Sequence, residues 1–220
     1  MTIIEANPPA ARALRAGQPV VALRRRTIDS VLISLGVVAT VVLVVAGALL
    51  TWGARFSADY VDDELSSQNI SFPEAAELRE EGRTDLLAFA GESVNTGQEA
   101  EAYASFIDGH LQGIADGATY ADLGGPESAA RAAVTEAREG GADAATIAEL
   151  QAKADAISNQ RNTLFKGETL RGLLLSAFAW STVGRIAGYA AIGAFVAGGM
   201  MLVLVLLGLR HHHKVVAAEE

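Results

Sequence analysis

The chain of 220 residues contains no cysteine, which removes a disulfide framework, a thiolate metal site and a cysteine nucleophile at one stroke. The absence leaves the compartment open, because helical extracytoplasmic domains do not need disulfides. Aromatic residues make up only 6% of the chain, and lysine is rare: 3 residues against 14 arginines. The sequence also lacks a Walker loop, a G-x-S-x-G elbow, an H-E-x-x-H pair and a basic, aromatic-interleaved patch. Phosphate cradling, serine hydrolase chemistry, zinc proteolysis and nucleic-acid binding therefore have no sequence footing. Most telling is an absence of charge. Mean hydropathy is +0.27 although the net charge is −9, so apolar and charged residues must lie in separate blocks.

Two blocks carry the apolar excess. Residues 31–52 run for 22 positions without a charge, with Ser34, Thr40 and Thr51 as the polar interruptions. Residues 186–209 run for 24, bracketed by Arg185 and Arg210. At about 1.5 Å per residue each exceeds a hydrocarbon core of about 30 Å, a length that a buried core helix does not reach. The expected fold class is an all-α membrane protein, with two transmembrane helices flanking an extracytoplasmic helical bundle. Arg12, Arg15 and the triplet Arg24, Arg25 and Arg26 precede the first span, while Arg210 and Lys214 follow the second. The segment between them holds 10 basic and 22 acidic residues, but a loop of that length crosses regardless of its charge. The basic flanks thus place both termini in the cytoplasm of a multi-pass plasma-membrane protein. Trp52, Trp180 and Arg185 fall at headgroup level, as interfacial anchors do. The competing reading is a cleaved signal peptide ending near Ala46-Gly47-Ala48. That triple lies inside the apolar run, which is longer than an h-region of about 7–15 residues.

The expected organisation is a basic cytoplasmic tail over 1–30, spans at 31–52 and 186–209, an acidic helical domain over 53–169, and a short tail over 210–220. Within the domain, Pro73 and Glu74 open a helix ending near Glu81, and apolar spacing places a second over 96–116. Gly124, Gly125 and Pro126 read as a break before a third helix at 128–139. Asp143 caps a long fourth, in which Ile147, Leu150, Ala154, Ile157, Arg161 and Leu164 step by three and four. Part of residues 54–71 reads as an extended or mobile stalk. Residues 170–185 are expected to form an interfacial amphipathic helix, or else the second span begins early and leans on the domain.

Candidate sites are few. Gly184 and Gly188, with Ala190, Ala194 and Gly198, form a row of small residues that lets helices approach closely. Gly36, Thr40 and Gly47 are possible counterparts on the first span. The row packs the two spans together, or receives a partner's helix or a second copy. Neither span carries an internal charge, which argues against an ion pathway within this chain. Asp59, Asp62, Asp63 and Glu64 could hold a hard cation, but their spacing is not that of a calcium loop and a solvated acidic stretch is the simpler reading. His211, His212 and His213 point about 100° apart on a helix and do not converge as metal ligands would. His110 is expected to be a satisfied, half-buried histidine on the apolar stripe of its helix. No cofactor and no metal site are expected.

The stretches TGQEAEAYASFIDGHLQGIADGATYADL (96–123) and TLFKGETLRGLLLSAFAW (163–180) resemble a family of uncharacterised actinobacterial two-span membrane proteins. That resemblance implies topology rather than an activity. Some such relatives carry an aromatic-ring-opening dioxygenase label, whose chemistry needs two histidines and a carboxylate on one iron. This loop offers one histidine, and the residues do not support the label. The function expected from the sequence is therefore a non-catalytic integral membrane protein, an accessory or interaction subunit of a cell-envelope or respiratory membrane complex. Its partners would be the lipid bilayer and a membrane protein or a second copy of itself, without nucleic acid. The alternative is an extracytoplasmic ligand or cation sensor acting through a cytoplasmic partner.

Overall fold

A computed structural model describes the backbone of residues 25–219 and the side chains of residues 27–214. Arg24 lies outside the described residues, and so do the side chains of Arg25 and Arg26. Every regular element among the described residues is helical: α1 (Arg25–Ser66), α2 (Ala75–Glu80), α3 (Gly97–Gln112), α4 (Gly124–Glu139) and α5 (Ala144–Glu219), with short 3-10 turns at Thr84–Phe89 and Ile114–Gly117. One isolated antiparallel bridge joins Ser71 to Ser93. Two of these helices, α1 and α5, are long and apolar enough to cross a membrane. Of their most apolar windows only 6% and 17% is buried.

The chain divides into two compact units, Met1–Val45 with Ala194–Glu220, and Ala46–Gly193. In the first, α1 and α5 run antiparallel, and small residues set their approach. A β-carbon at Gly36 would lie 2.7 Å from Val205 Cγ2, one at Gly198 3.4 Å from Leu43 Cβ, and one at Gly208 3.3 Å from Ile33 Cγ1. Large side chains point away from this seam: Val31, Leu32, Leu35, Val41 and Val42 are all exposed. Thr40 returns its hydroxyl to the Gly36 carbonyl at 2.8 Å, which satisfies that donor within the helix.

In the second unit the same two helices carry the rest of the chain. Its main core draws Val61 and Leu65 from α1, Leu78 from α2, Ala100, Ala104 and Phe106 from α3, and Leu174 from α5. Leu78 is entirely sequestered. A smaller cluster of Leu111, Leu123 and Leu164 lies beside it. The start of α3 is fixed by a capping box. Thr96 Oγ1 accepts from the Glu99 amide, and Glu99 Oε2 accepts from the amides of Asn95 and Thr96, both at 2.8 Å. Asp143 caps α5, its Oδ1 accepting from the Thr146 amide at 2.9 Å. Gly141, at φ 70°, turns the chain from α4 into α5.

Three sequence expectations are revised, and of the two readings of residues 170–185 the continuous one is found. Residues 170–185 form no separate interfacial helix; α5 runs through them unbroken, because Leu174 and Ala177 pack onto the main core and no breaker interrupts the ladder. The expected stalk is helical as far as Ser66, since Ser57, Val61 and Leu65 are buried along one side of α1. The helix expected over 96–116 ends at Gln112, where Ala115, Asp116 and Gly117 turn left-handed. Gly124, Gly125 and Pro126 do not break the chain but form the first turn of α4, where backbone amides need no helical partner and a proline is tolerated.

Candidate functional site

The residues flagged in the sequence fall into three groups. Gly184 and Gly188 face α1: a β-carbon at Gly184 would lie 2.9 Å from Ser57 Cβ, and one at Gly188 3.8 Å from Ala54 Cβ. Ser57 is buried and donates its hydroxyl to the Trp180 carbonyl at 2.6 Å, so the one buried polar side chain in this unit is satisfied across the helix pair. Gly198 is buried and Ala194 half-buried, but Ala190 is exposed while its neighbour Ala191 is buried. A helix seam advances alternately by three and four, so a residue six beyond Gly184 has rotated off it.

Asp59, Asp62, Asp63 and Glu64 are all exposed, and Asp62 accepts a hydrogen bond from Ser66. Among the described residues no three histidine or carboxylate side chains converge where a metal could sit. His110 departs from the half-buried expectation. Its ring is exposed, although Nδ1 lies 3.2 Å from the Phe106 carbonyl and Nε2 3.5 Å from a Glu81 oxygen. The phenyl ring of Phe106 shields one edge, with centroids 4.5 Å apart. Of the anchors, Trp52, Trp180, Arg185 and Arg210 are exposed, and Arg185 donates to Thr182 at 3.2 Å.

Two features were not legible from sequence spacing. The first is an ion cluster that ties α4 to α5. Glu127 accepts from Arg131 at 2.9 Å, from Arg161 at 2.7 Å and from the Ser158 hydroxyl. These donors, the Ser158 hydroxyl foremost and then the two guanidiniums, hold its carboxyl down to about 2. Arg161 also stacks its guanidinium over the Tyr120 ring at 4.0 Å. Each donor of this cluster already has a protein acceptor, so its evident work is to pin helices. A second ion pair, Arg83 with Asp85, reaches Ser105 in α3 and holds the Asp85 carboxyl below its ordinary range by direct hydrogen bonding.

The second feature is a groove of about 300 Å³ between the C-terminal turns of α1 and the 170–180 stretch of α5. Val61, Leu65, Ile70, Leu173, Leu174 and Trp180 supply most of its wall, and Glu64 is the charged residue in the lining. Leading to it along α1 is a ladder of stacked rings: Trp52 on Phe56 at 5.8 Å and Phe56 on Tyr60 at 6.1 Å, with Tyr60 itself lining the groove. The i, i+4 spacing of these aromatics was visible in the sequence and could have flagged the stripe. A large exposed apolar surface of this kind is where a soluble protein would aggregate and where a binding protein receives its ligand.

Comparison of the chain with protein-family models, with curated proteins and with solved structures found no match.

Proposed function

We propose that the chain is an integral membrane protein that crosses the bilayer twice, with both tails cytoplasmic and the helical domain outside. Its role on this reading is that of a non-catalytic accessory or interaction subunit in a cell-envelope or respiratory membrane complex. The observation that carries the reading is the inside-out pattern of α1 and α5, in which glycines line the seam and Val31, Leu35, Val42 and Leu207 face outward. Water would penalise that pattern, whereas hydrocarbon makes the outward side chains neutral and leaves close packing to hold the pair together.

Topology is tested by thiol labelling, because a chain without cysteine makes each introduced thiol unique. A membrane-impermeant maleimide should label Ser128→Cys on intact cells and His213→Cys only after lysis; the reverse order overturns the orientation. The accessory role is tested by purification from native membranes in mild detergent, followed by mass spectrometry of what co-elutes in stoichiometric amount. A chain that elutes alone overturns it. That result favours a second reading, a ligand sensor acting through a cytoplasmic partner, which the apolar groove in the 46–193 unit supports.

A further inference from the structure

We propose that Arg55 of α1 and Arg185 of α5 together clamp the phosphodiester of one bilayer phospholipid. The inference rests on the membrane reading above, which supplies the lipid, and it gives this pair of cations its partner.

Charge distribution singles out the two residues. Over 46–58 of α1 and 172–193 of α5, Arg55 and Arg185 are the only charged side chains, in a chain whose net charge is −9. Among the described residues the arginines held in ion pairs are Arg83, Arg131, Arg161 and Arg171, and neither member of this pair is one of them. Both are exposed. Their exposed neighbours along the helices are apolar: Trp52 and Phe56 on α1, and Val183, Ile186 and Tyr189 on α5. A guanidinium in that setting has five N–H donors to satisfy and no carboxylate to receive them.

Helix geometry puts the two at one level and on one side. A β-carbon at Gly184 would lie 2.9 Å from Ser57 Cβ and 3.4 Å from the Ala54 carbonyl oxygen, so Ala54 and Gly184 meet at the seam. Arg55 follows the first and Arg185 the second. Each step along a helix turns about 100°, and in an antiparallel pair the step after a seam position swings to the same side on both helices. The two long side chains can therefore converge beside the seam. Arg185 is already oriented there, since one Nη donates to Thr182 Oγ1 at 3.2 Å and its other donors stay free for a ligand.

Chemistry then names the ligand. The planar guanidinium fork matches two oxygens of a phosphate, and two forks from different helices hold one phosphate with more geometric definition than point charges would. Trp52 ends the uncharged run of α1 and Arg185 brackets that of α5, the depth at which a bilayer presents its phosphate layer. Asp59 stands one turn beyond Arg55, so attraction for an anion is confined to the level of the pair.

The test uses the full-length protein in mild detergent, with lipid binding read by native mass spectrometry. Dioleoyl phosphatidylglycerol should bind at one molecule per chain, at least about tenfold more tightly than a dioleoyl glycolipid without phosphate. Arg55→Gln and Arg185→Gln should each weaken it about fivefold, and the double variant should erase the preference. Arg55→Lys and Arg185→Lys keep the charge but lose the fork, so intermediate binding is expected, which guards against misfolding of the glutamine variants. Lys153→Gln removes an equal charge from an exposed position about 48 Å along α5 from Arg185 and should change nothing. No preference over the glycolipid, a preference that survives the double variant, or an equal loss in Lys153→Gln overturns the proposal. So does displacement of the lipid by millimolar inorganic phosphate, which would mark a site for the free anion. Failure of the membrane reading shows separately, as a chain released from membranes by alkaline carbonate, whatever the titration gives.

Discussion

Glu127 and Arg161 lie 34 positions apart in the chain and 2.7 Å apart in space, and their pairing fixes the first turn of α4 against α5. Arg131 and Ser158 complete the set of donors, so one carboxylate holds three side chains from two helices. The carboxyl is held down to about 2, well below the ordinary 4.5. A folded-state value below the unfolded one means that the contribution is fully present above the unfolded value and is lost as pH falls through the folded one. The thermal midpoint of the full chain in detergent should therefore drop between about pH 5 and about pH 2. In Glu127→Gln the drop over that range should be shallower, from a lower starting point at neutral pH. Parallel profiles for the two proteins would show that the cluster contributes nothing to acid stability.

Gly97 opens α3 directly against α5. A β-carbon there would collide with Ser181 and come within 3.2 Å of the Phe178 backbone, so the side chain is absent because there is no space for it. Gly97→Val should cost about 2–3 kcal/mol, in the range of overpacked core sites, and should expose α3 to limited proteolysis. Unchanged midpoint and cleavage pattern would mean that α3 does not dock where its first residue touches α5.

Thr96, one residue earlier, tests the cap apart from the contact. Its hydroxyl accepts from the Glu99 amide, and no packed volume depends on it because the residue is exposed. Thr96→Ala should lower stability by about 1 kcal/mol, and Thr96→Ser should restore most of it. Equal loss in both variants would point to the threonine methyl rather than to the hydroxyl.

These residues also mark how far the sequence alone could be read. The all-helical class, the two apolar runs and the Asp143 cap follow from local composition and spacing, which is information carried by neighbours in the chain. The Thr96–Glu99 box has a sequence signature too, but the proximity of Gly97 to Ser181 depends on how α3 meets α5, and nothing local encodes it. The same holds for Glu127 with Arg161, and for a groove that brings Leu65 and Ile70 beside Leu173 and Trp180. The small-residue row was legible in composition and missed in register. Ala190 and Ala191 are equally small, and only the seam with α1 decides that Ala191 is the buried one. Pro126 misled for a related reason: a proline reads as a breaker unless its place in the first turn is known.

Asp116 lies in a left-handed turn that the sequence did not disclose. Ala115, Asp116 and Gly117 have φ of 57°, 54° and 82°, and only the last is a glycine. An L side chain in that region costs about 1–2 kcal/mol, less for aspartate than for alanine because a short polar side chain can bond locally. Glycine at 116 removes that cost and returns part of it as unfolded-chain entropy, about 0.5–1 kcal/mol. Asp116 is exposed, so no packing is lost. Asp116→Gly should therefore raise stability by about 0.5 kcal/mol, while Asp116→Ala should lower it by a similar amount. Ala115→Gly relieves more strain but removes a half-buried methyl packed against the Leu111 cluster, so its net gain should be smaller. Thermal midpoints for the three variants decide the matter. If the glycine at 116 destabilises as much as the alanine, the turn is held by the Asp116 side chain and not opposed by its backbone.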